Sequence, residues 1–193
     1  SSPTLNAKPP AGAVVLFDGS NADGWENGKV ENGHLLATGC TSKQRFTGYR
    51  LHLEFRTPYM PTARGQGRGN SGVYLQGRYE VQVLDSYGIE KPGEGDCGGI
   101  YGIAKPKVNA CKAPTTWQAY DIDFTPPVFK DGKKEKPGNI TVKLNGVVIH
   151  ENVVITKDNT TSGLGGDPST PGPLLLQDHG NPVQYRNVWI LKK

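Results

Sequence analysis

Methionine is nearly absent from this chain, with one in 193 residues, and no segment repeats its apolar residues at helical spacing. A helical bundle is therefore excluded. No apolar run approaches the ~20 residues that a membrane-spanning helix needs. Charge of one sign is also scarce. The formal net charge is only +4, and the lysines are scattered or gathered in turns such as KDGKKEKPG. Without a basic stripe interleaved with aromatics, nucleic acid is not expected as a partner. Cysteine is limited to Cys40, Cys97 and Cys111, and no second Cys/His pair stands at zinc-ligand spacing. Cys97 and Cys111 bracket a glycine-rich loop, which suggests a disulfide between them, a free Cys40 and an exported protein. Three reduced, partly buried thiols are the alternative. The opening residues, SSPTLNAKPPAGA, lack a basic-then-apolar signal pattern and read as a flexible leader over 1–12.

Glycine (26) and proline (15) are plentiful, as expected for many short strands joined by turns. YRLHLEFRT at 49–57 alternates cleanly, with Leu51, Leu53 and Phe55 on one face and His52, Glu54 and Arg56 on the other. LNGVVI sets Asn-Gly between apolar runs, the signature of a type I′ hairpin. There is no βαβ pattern and no internal repeat. Residues 13–193 are accordingly expected to form one all-β domain, a two-sheet antiparallel sandwich of the jelly-roll kind. Period two sends Val73, Leu75, Val81, Val83, Ile122, Phe124, Ile140, Val142, Leu144, Val188 and Ile190 inward. It sends Tyr74, Gln76, Glu80 and Gln82 outward and pairs Gln177 with His179. A face of carboxylate, amide, phenol and imidazole suits a saccharide, whose vicinal hydroxyls bond such groups. The long loops 58–70 and 157–172 are candidate walls.

Glu80 and Asp85, in EVQVLD, invite comparison with the paired carboxylates of glycosidases. An offset of five, however, puts them on opposite faces of a regular strand unless a bulge intervenes. Gln82 also stands where such a motif carries an aspartate. Asp85, followed by Ser-Tyr-Gly, reads as a turn residue.

The ordered motifs FDGSNADGW, GNSGVYLQGRYEVQVLD, CGGIYG, TWQAYDIDF, LNGVVIHENV and LLLQDHGNPVQYRNVWI resemble the bacterial 3-keto-disaccharide hydrolase domain family, from about residue 14 to 191. The resemblance implies a concanavalin A-like jelly roll of the lectin/glucanase type, usually exported. It also implies action on glycosides already oxidised at C3. A C3 ketone acidifies the C2 proton, so a base can remove it and expel the C1 substituent, after which water adds. The route needs a base working near neutral pH, but not two close carboxylates. The candidates are His179, whose ordinary pKa is ~6.5, and Glu80. A divalent metal held by Glu80 and His179 is a further option for polarising the ketone. Gln82, Gln177 and Tyr101 would position hydroxyls, and Arg56 or Arg186 would steady the enolate. Arg186 reads equally well as the structural partner of a buried carboxylate, and His179 as a turn histidine. Two other functions remain open: a carbohydrate-binding domain without catalysis, and a conventional glycosidase using Glu80 and Asp85.

Overall fold

The structure, a computed structural model, describes residues 2–193. Fifteen strands run along the described residues. The first six are β1 (Val14–Phe17), β2 (Trp25–Glu26), β3 (Val30–Glu31), β4 (His34–Leu36), β5 (Cys40–Phe46) and β6 (Tyr49–Arg56). Then come β7 (Ser71–Leu75), β8 (Tyr79–Val83), β9 (Gln118–Thr125), β10 (Val128–Lys130) and β11 (Lys133–Lys136). The last four are β12 (Asn139–Leu144), β13 (Val147–Val154), β14 (Gly172–Leu176) and β15 (Gln184–Lys192).

They assemble into an eight-stranded sheet, β13-β12-β9-β6-β15-β4-β3 with β1 on the far half of β15, and a five-stranded sheet, β2-β5-β14-β7-β8. Strands β10 and β11 form a separate ribbon. Every paired strand is antiparallel. This is the expected jelly-roll sandwich. All eleven residues assigned inward by alternation belong to the buried core between the sheets. The Asn145–Gly146 turn joins β12 to β13 with φ of 53° and 80°, as a type I′ hairpin demands.

Residues 2–12 form no strand, yet where a flexible leader was expected the chain lies docked on the outward face of the larger sheet. The Thr4 hydroxyl donates to Asp121 Oδ2 at 2.6 Å, and the Asn6 amide donates to Glu54 Oε2 at 2.8 Å. Asn187 Nδ2 donates to the Ala7 carbonyl at 2.9 Å. Beneath this strap His52 bridges Asp121 Oδ1 (2.8 Å) and Glu54 Oε2 (2.7 Å), with Trp189 stacked on its ring. Burial alone would lower the His52 pKa, but the bonds to Asp121 and Glu54 outweigh it and raise it to about 9. Burial likewise pushes Glu54 upward. Donors from His52, Asn187, Arg186 and the Asn6 amide prevail, and its carboxyl ends below the ordinary value.

Candidate functional site

The site is built on the outward face of the smaller sheet. Strands β7 and β8 pair so that Tyr74 opposes Glu80 and Gly72 opposes Gln82, and β14 runs alongside β7. Gln177, just past β14, continues this pairing through its amide to the Gly72 carbonyl at 2.9 Å. Two excursions wall the face. Residues 98–101 bond along the free edge of β8, Gly98 and Gly99 to Gln82 and the Tyr101 amide to the Glu80 carbonyl. On the other side, segment 157–171 is pinned by Arg78, whose guanidinium is buried. All five of its N–H donors are used, on the carbonyls of Gly165, Asp167 and Thr170, the Thr170 hydroxyl and the Gln76 side chain.

Between these walls lies a cavity of about 110 Å³ lined by Gln66, Asn70, Tyr74, Glu80, Gln82, Tyr101, Thr161, Ser162, Gln177 and His179. At ~30 Å³ per water it holds a few waters, or one edge of a sugar ring. Glu80, Gln82, Tyr101, Gln177 and His179, all singled out from sequence, thus share one pocket. Alternation along β8 was sufficient to find Glu80 and Gln82. Gln66, Asn70, Thr161 and Ser162 come from loops without periodicity, and only the length of those loops pointed to them.

Glu80 is almost completely buried, and burial raises its pKa to about 7, with only the neighbouring Tyr74 hydroxyl acting the other way. No lysine or arginine forms an ion pair with it among the described residues. The side chain fits because residue 72 is glycine: a Cβ there would stand 1.9 Å from Glu80 Oε2. Burial and the neighbouring Glu80 charge push the Tyr74 hydroxyl well above its usual pKa, so it keeps its proton. Tyr74 Oη accepts from Gln177 Nε2 at 3.2 Å and donates to the Thr161 carbonyl at 2.9 Å. Gln82 Nε2 donates to Gln66 Oε1 (3.0 Å) and the Gly95 carbonyl (3.1 Å), and Asn70 Nδ2 to the Gln66 carbonyl (2.8 Å). The acceptor ends of these two amides, Gln82 Oε1 and Asn70 Oδ1, are buried without a protein donor. Buried acceptors are costly unless a ligand or water supplies the hydrogen. His179 is exposed at the pocket's edge.

Several expectations need correction. Arg56 and Arg186 do not line this pocket but lie on the outward face of the larger sheet. Alternation had turned Arg56 outward without revealing which sheet would carry it. Arg186 is indeed the partner of a buried carboxylate, its Nε donating to Glu54 Oε1 at 2.9 Å. Asp85 is likewise outside the pocket, 3.5 Å from Arg68 Nε and bonded to the Tyr87 amide in a turn. Cys97 and Cys111 are neighbours in the core but stand as free thiols, without the expected disulfide. Each has its own partner: the Cys97 sulfur meets Tyr120 Oη at 3.7 Å, and the Cys111 sulfur the Leu84 carbonyl at 3.6 Å. For a metal, Glu80 and His179 are the one carboxylate and one imidazole lining the pocket. No group of three or more His, Cys, Asp or Glu suited to a metal occurs among the described residues. That is one ligand short of a catalytic zinc site.

Known proteins agree with this architecture. A protein of Parabacteroides distasonis ATCC 8503, described as a candidate glycosyl hydrolase, is 36% identical with a TM-score of 0.86, covering 95% of this chain and 85% of its own. Two further candidate glycosyl hydrolases of that organism share the fold. One is 18% identical with a TM-score of 0.67, covering 94% of each chain. The other is 23% identical with a TM-score of 0.63, covering 94% of this chain and 99% of its own. Among curated proteins none matches. The family model described as the 3-keto-alpha-glucoside-1,2-lyase-like domain matches residues 12–191, nearly the whole sandwich. The chain belongs to that carbohydrate-active, glycoside hydrolase/lyase-like family.

Proposed function

We propose that the pocket cleaves glycosides carrying a ketone at C3, with Glu80 as the base that takes the C2 proton. The observation that carries this reading is the Glu80 environment: a buried carboxylate without a cation, with a pKa of about 7. Such a group is a stronger base than an ordinary carboxylate and is still half ionised at neutral pH. The C2–H bond breaks toward Glu80, and the ketone delocalises the resulting charge as an enolate. Its electrons then form C1=C2 as the C1–O bond breaks, and the departing oxygen gains a proton. Water adds across C1=C2, returning hydrogen to C2 and placing hydroxyl on C1, so the net change is hydrolysis. Only the C1–C2–C3 edge of the sugar need enter the cavity, in keeping with its small volume. No second carboxylate is needed, which fits the position of Asp85. The family's description as 1,2-lyase-like supports the elimination step. Gly72 makes room for the Glu80 carboxylate, while Gln82 Oε1 and Asn70 Oδ1 receive sugar hydroxyls. No step of this route runs through a metal. Export belongs to the same proposal, on the strength of the family resemblance, and fractionation of native cells tests it.

Those two unfilled acceptors also favour a second reading, a saccharide-binding domain that does not cleave. Incubation with a 3-keto-disaccharide and with its unoxidised parent separates the two. We expect monosaccharide release from the ketone alone, abolished in Glu80→Gln. Retention of the intact disaccharide would establish the binding reading, and equal cleavage of the parent would refute the ketone requirement.

A further inference from the structure

Arg56 and Arg186, which the pocket does not use, meet each other elsewhere. Across the outward face of the larger sheet, β6 contributes Arg56, β15 contributes Gln184 and Arg186, and β4 contributes His34. Trp117, just before β9, reaches over this row. Its ring lies 4.8 Å from the Arg56 guanidinium carbon, 4.1 Å from that of Arg186 and 4.9 Å from the His34 ring centroid.

Ion pairing does not use every cation here. Below the row, protonated His52 and Arg186 offset Asp121 and Glu54. Arg56, half-buried, has no carboxylate partner among the described residues; its Nε and Nη2 both rest on the neutral Gln184 Oε1, at 2.9 and 2.5 Å. Arg56 is thus the cation of this row left without an ion pair; Glu31, opposite His34 on β3, is exposed and forms none among the described residues. His34 Nδ1 is buried with no hydrogen-bond partner. Burial, followed by the two guanidiniums, holds the His34 pKa below its ordinary value, so the ring is neutral and adds no cation of its own. Beside His34 and Arg186 opens a cavity of about 350 Å³, also lined by Lys8, with Asp18 the one acid on its wall. The Asp18 carboxylate is already engaged by the Ser20 amide at 2.9 Å.

We propose that Arg56, Arg186, His34 and Trp117 form a second binding site, outside the Glu80 pocket, for the carboxylate of an acidic saccharide. A planar carboxylate matches the guanidinium forks and supplies the missing negative charge. The indole and the adjoining cavity give room for the attached ring. The saccharide class rests on the family membership and not on the elimination chemistry, so the site stands or falls separately from the proposed reaction.

The test is a fluorescence titration of the full chain with trigalacturonate, with a neutral trisaccharide and sodium sulfate as the other arms. Trigalacturonate is expected to bind saturably and perturb tryptophan emission. Arg56→Gln should weaken it at least 10-fold while leaving the melting temperature and the cleavage of 3-keto-disaccharide unchanged. Trp117→Phe, which keeps an aromatic ring, should remove the fluorescence change but retain binding by calorimetry. The site is refuted if trigalacturonate does not bind, or binds equally to Arg56→Gln. Equal binding of the neutral trisaccharide would mean stacking without charge recognition, and equal binding of sulfate a nonspecific anion site; either overturns the assignment.

Discussion

Replacing Glu80 with glutamine isolates the cost of keeping an ionisable group in the pocket. Glutamine preserves the shape, but it never ionises. In the unfolded chain Glu80 titrates at about 4.5, whereas in the folded pocket burial delays ionisation until about 7. Because the folded value is raised, the favourable contribution is complete below 4.5 and is lost as pH rises through 7. At ~1.36 kcal/mol per pH unit, the interval amounts to about 3 kcal/mol. The glutamine protein should therefore match wild type near pH 4 and exceed it by about 3 kcal/mol at pH 8. For a chain of this length the difference corresponds to a melting temperature higher by ~6–12 °C. Urea denaturation of both proteins at intervals from pH 4 to 9 measures it directly. Equal stability at pH 8 would show that the Glu80 carboxylate is not desolvated and would remove the basis for its role as base. The same substitution should abolish turnover at every pH, so stability would rise as activity disappears.

Three other outcomes follow from the geometry. Gly72→Ala should leave the fold intact but displace the Glu80 carboxylate, lowering turnover by ~100-fold or more, the scale of a positioned base; wild-type rates would contradict the cradle. Arg78→Ala should cost ~2 kcal/mol or more and expose 157–171 to proteolysis, because the carbonyls of Gly165, Asp167 and Thr170 lose their donor; an uncleaved loop would count against the clamp. His52 has a raised folded pKa of about 9, so its contribution is complete below 6.5 and fades as pH rises through 9. By the same conversion, about 3 kcal/mol of the wild-type advantage over His52→Gln should vanish between pH 6 and 10, as read from urea midpoints.

Alternation carried the sequence reading a long way, because a sandwich imposes period two on every strand with one buried face. It placed the core and brought Tyr74, Glu80 and Gln82 to one surface. It could not say which strands become neighbours, so Arg56 went to the wrong sheet. Nor does period two reach the loops. Asn70 and Gln66 sit in a Gly/Arg-rich stretch whose fold depends on contacts with Gly95 and Asn181, far away in the chain. The strap at 2–12 eluded the sequence for a related reason. It docks mostly through backbone groups, and backbone groups leave no pattern in side-chain identity. For Cys97 and Cys111, spacing identified the neighbours but not their redox state.

The position of β15 has a consequence for how the chain folds. This strand pairs with β6 along one side and with β4 and β1 along the other, and Asn187 anchors the strap. The larger sheet is therefore closed by a central strand rather than an edge. Until Gln184–Lys192 docks, β6, β4 and β1 have open edges, the situation in which strands recruit foreign partners. The pairing of Val14 with Ile190 spans nearly the whole chain, so its loop-closure entropy must be met before the contact gives any return. Slow folding, with a window of aggregation before β15 docks, is the expected kinetic character of this protein.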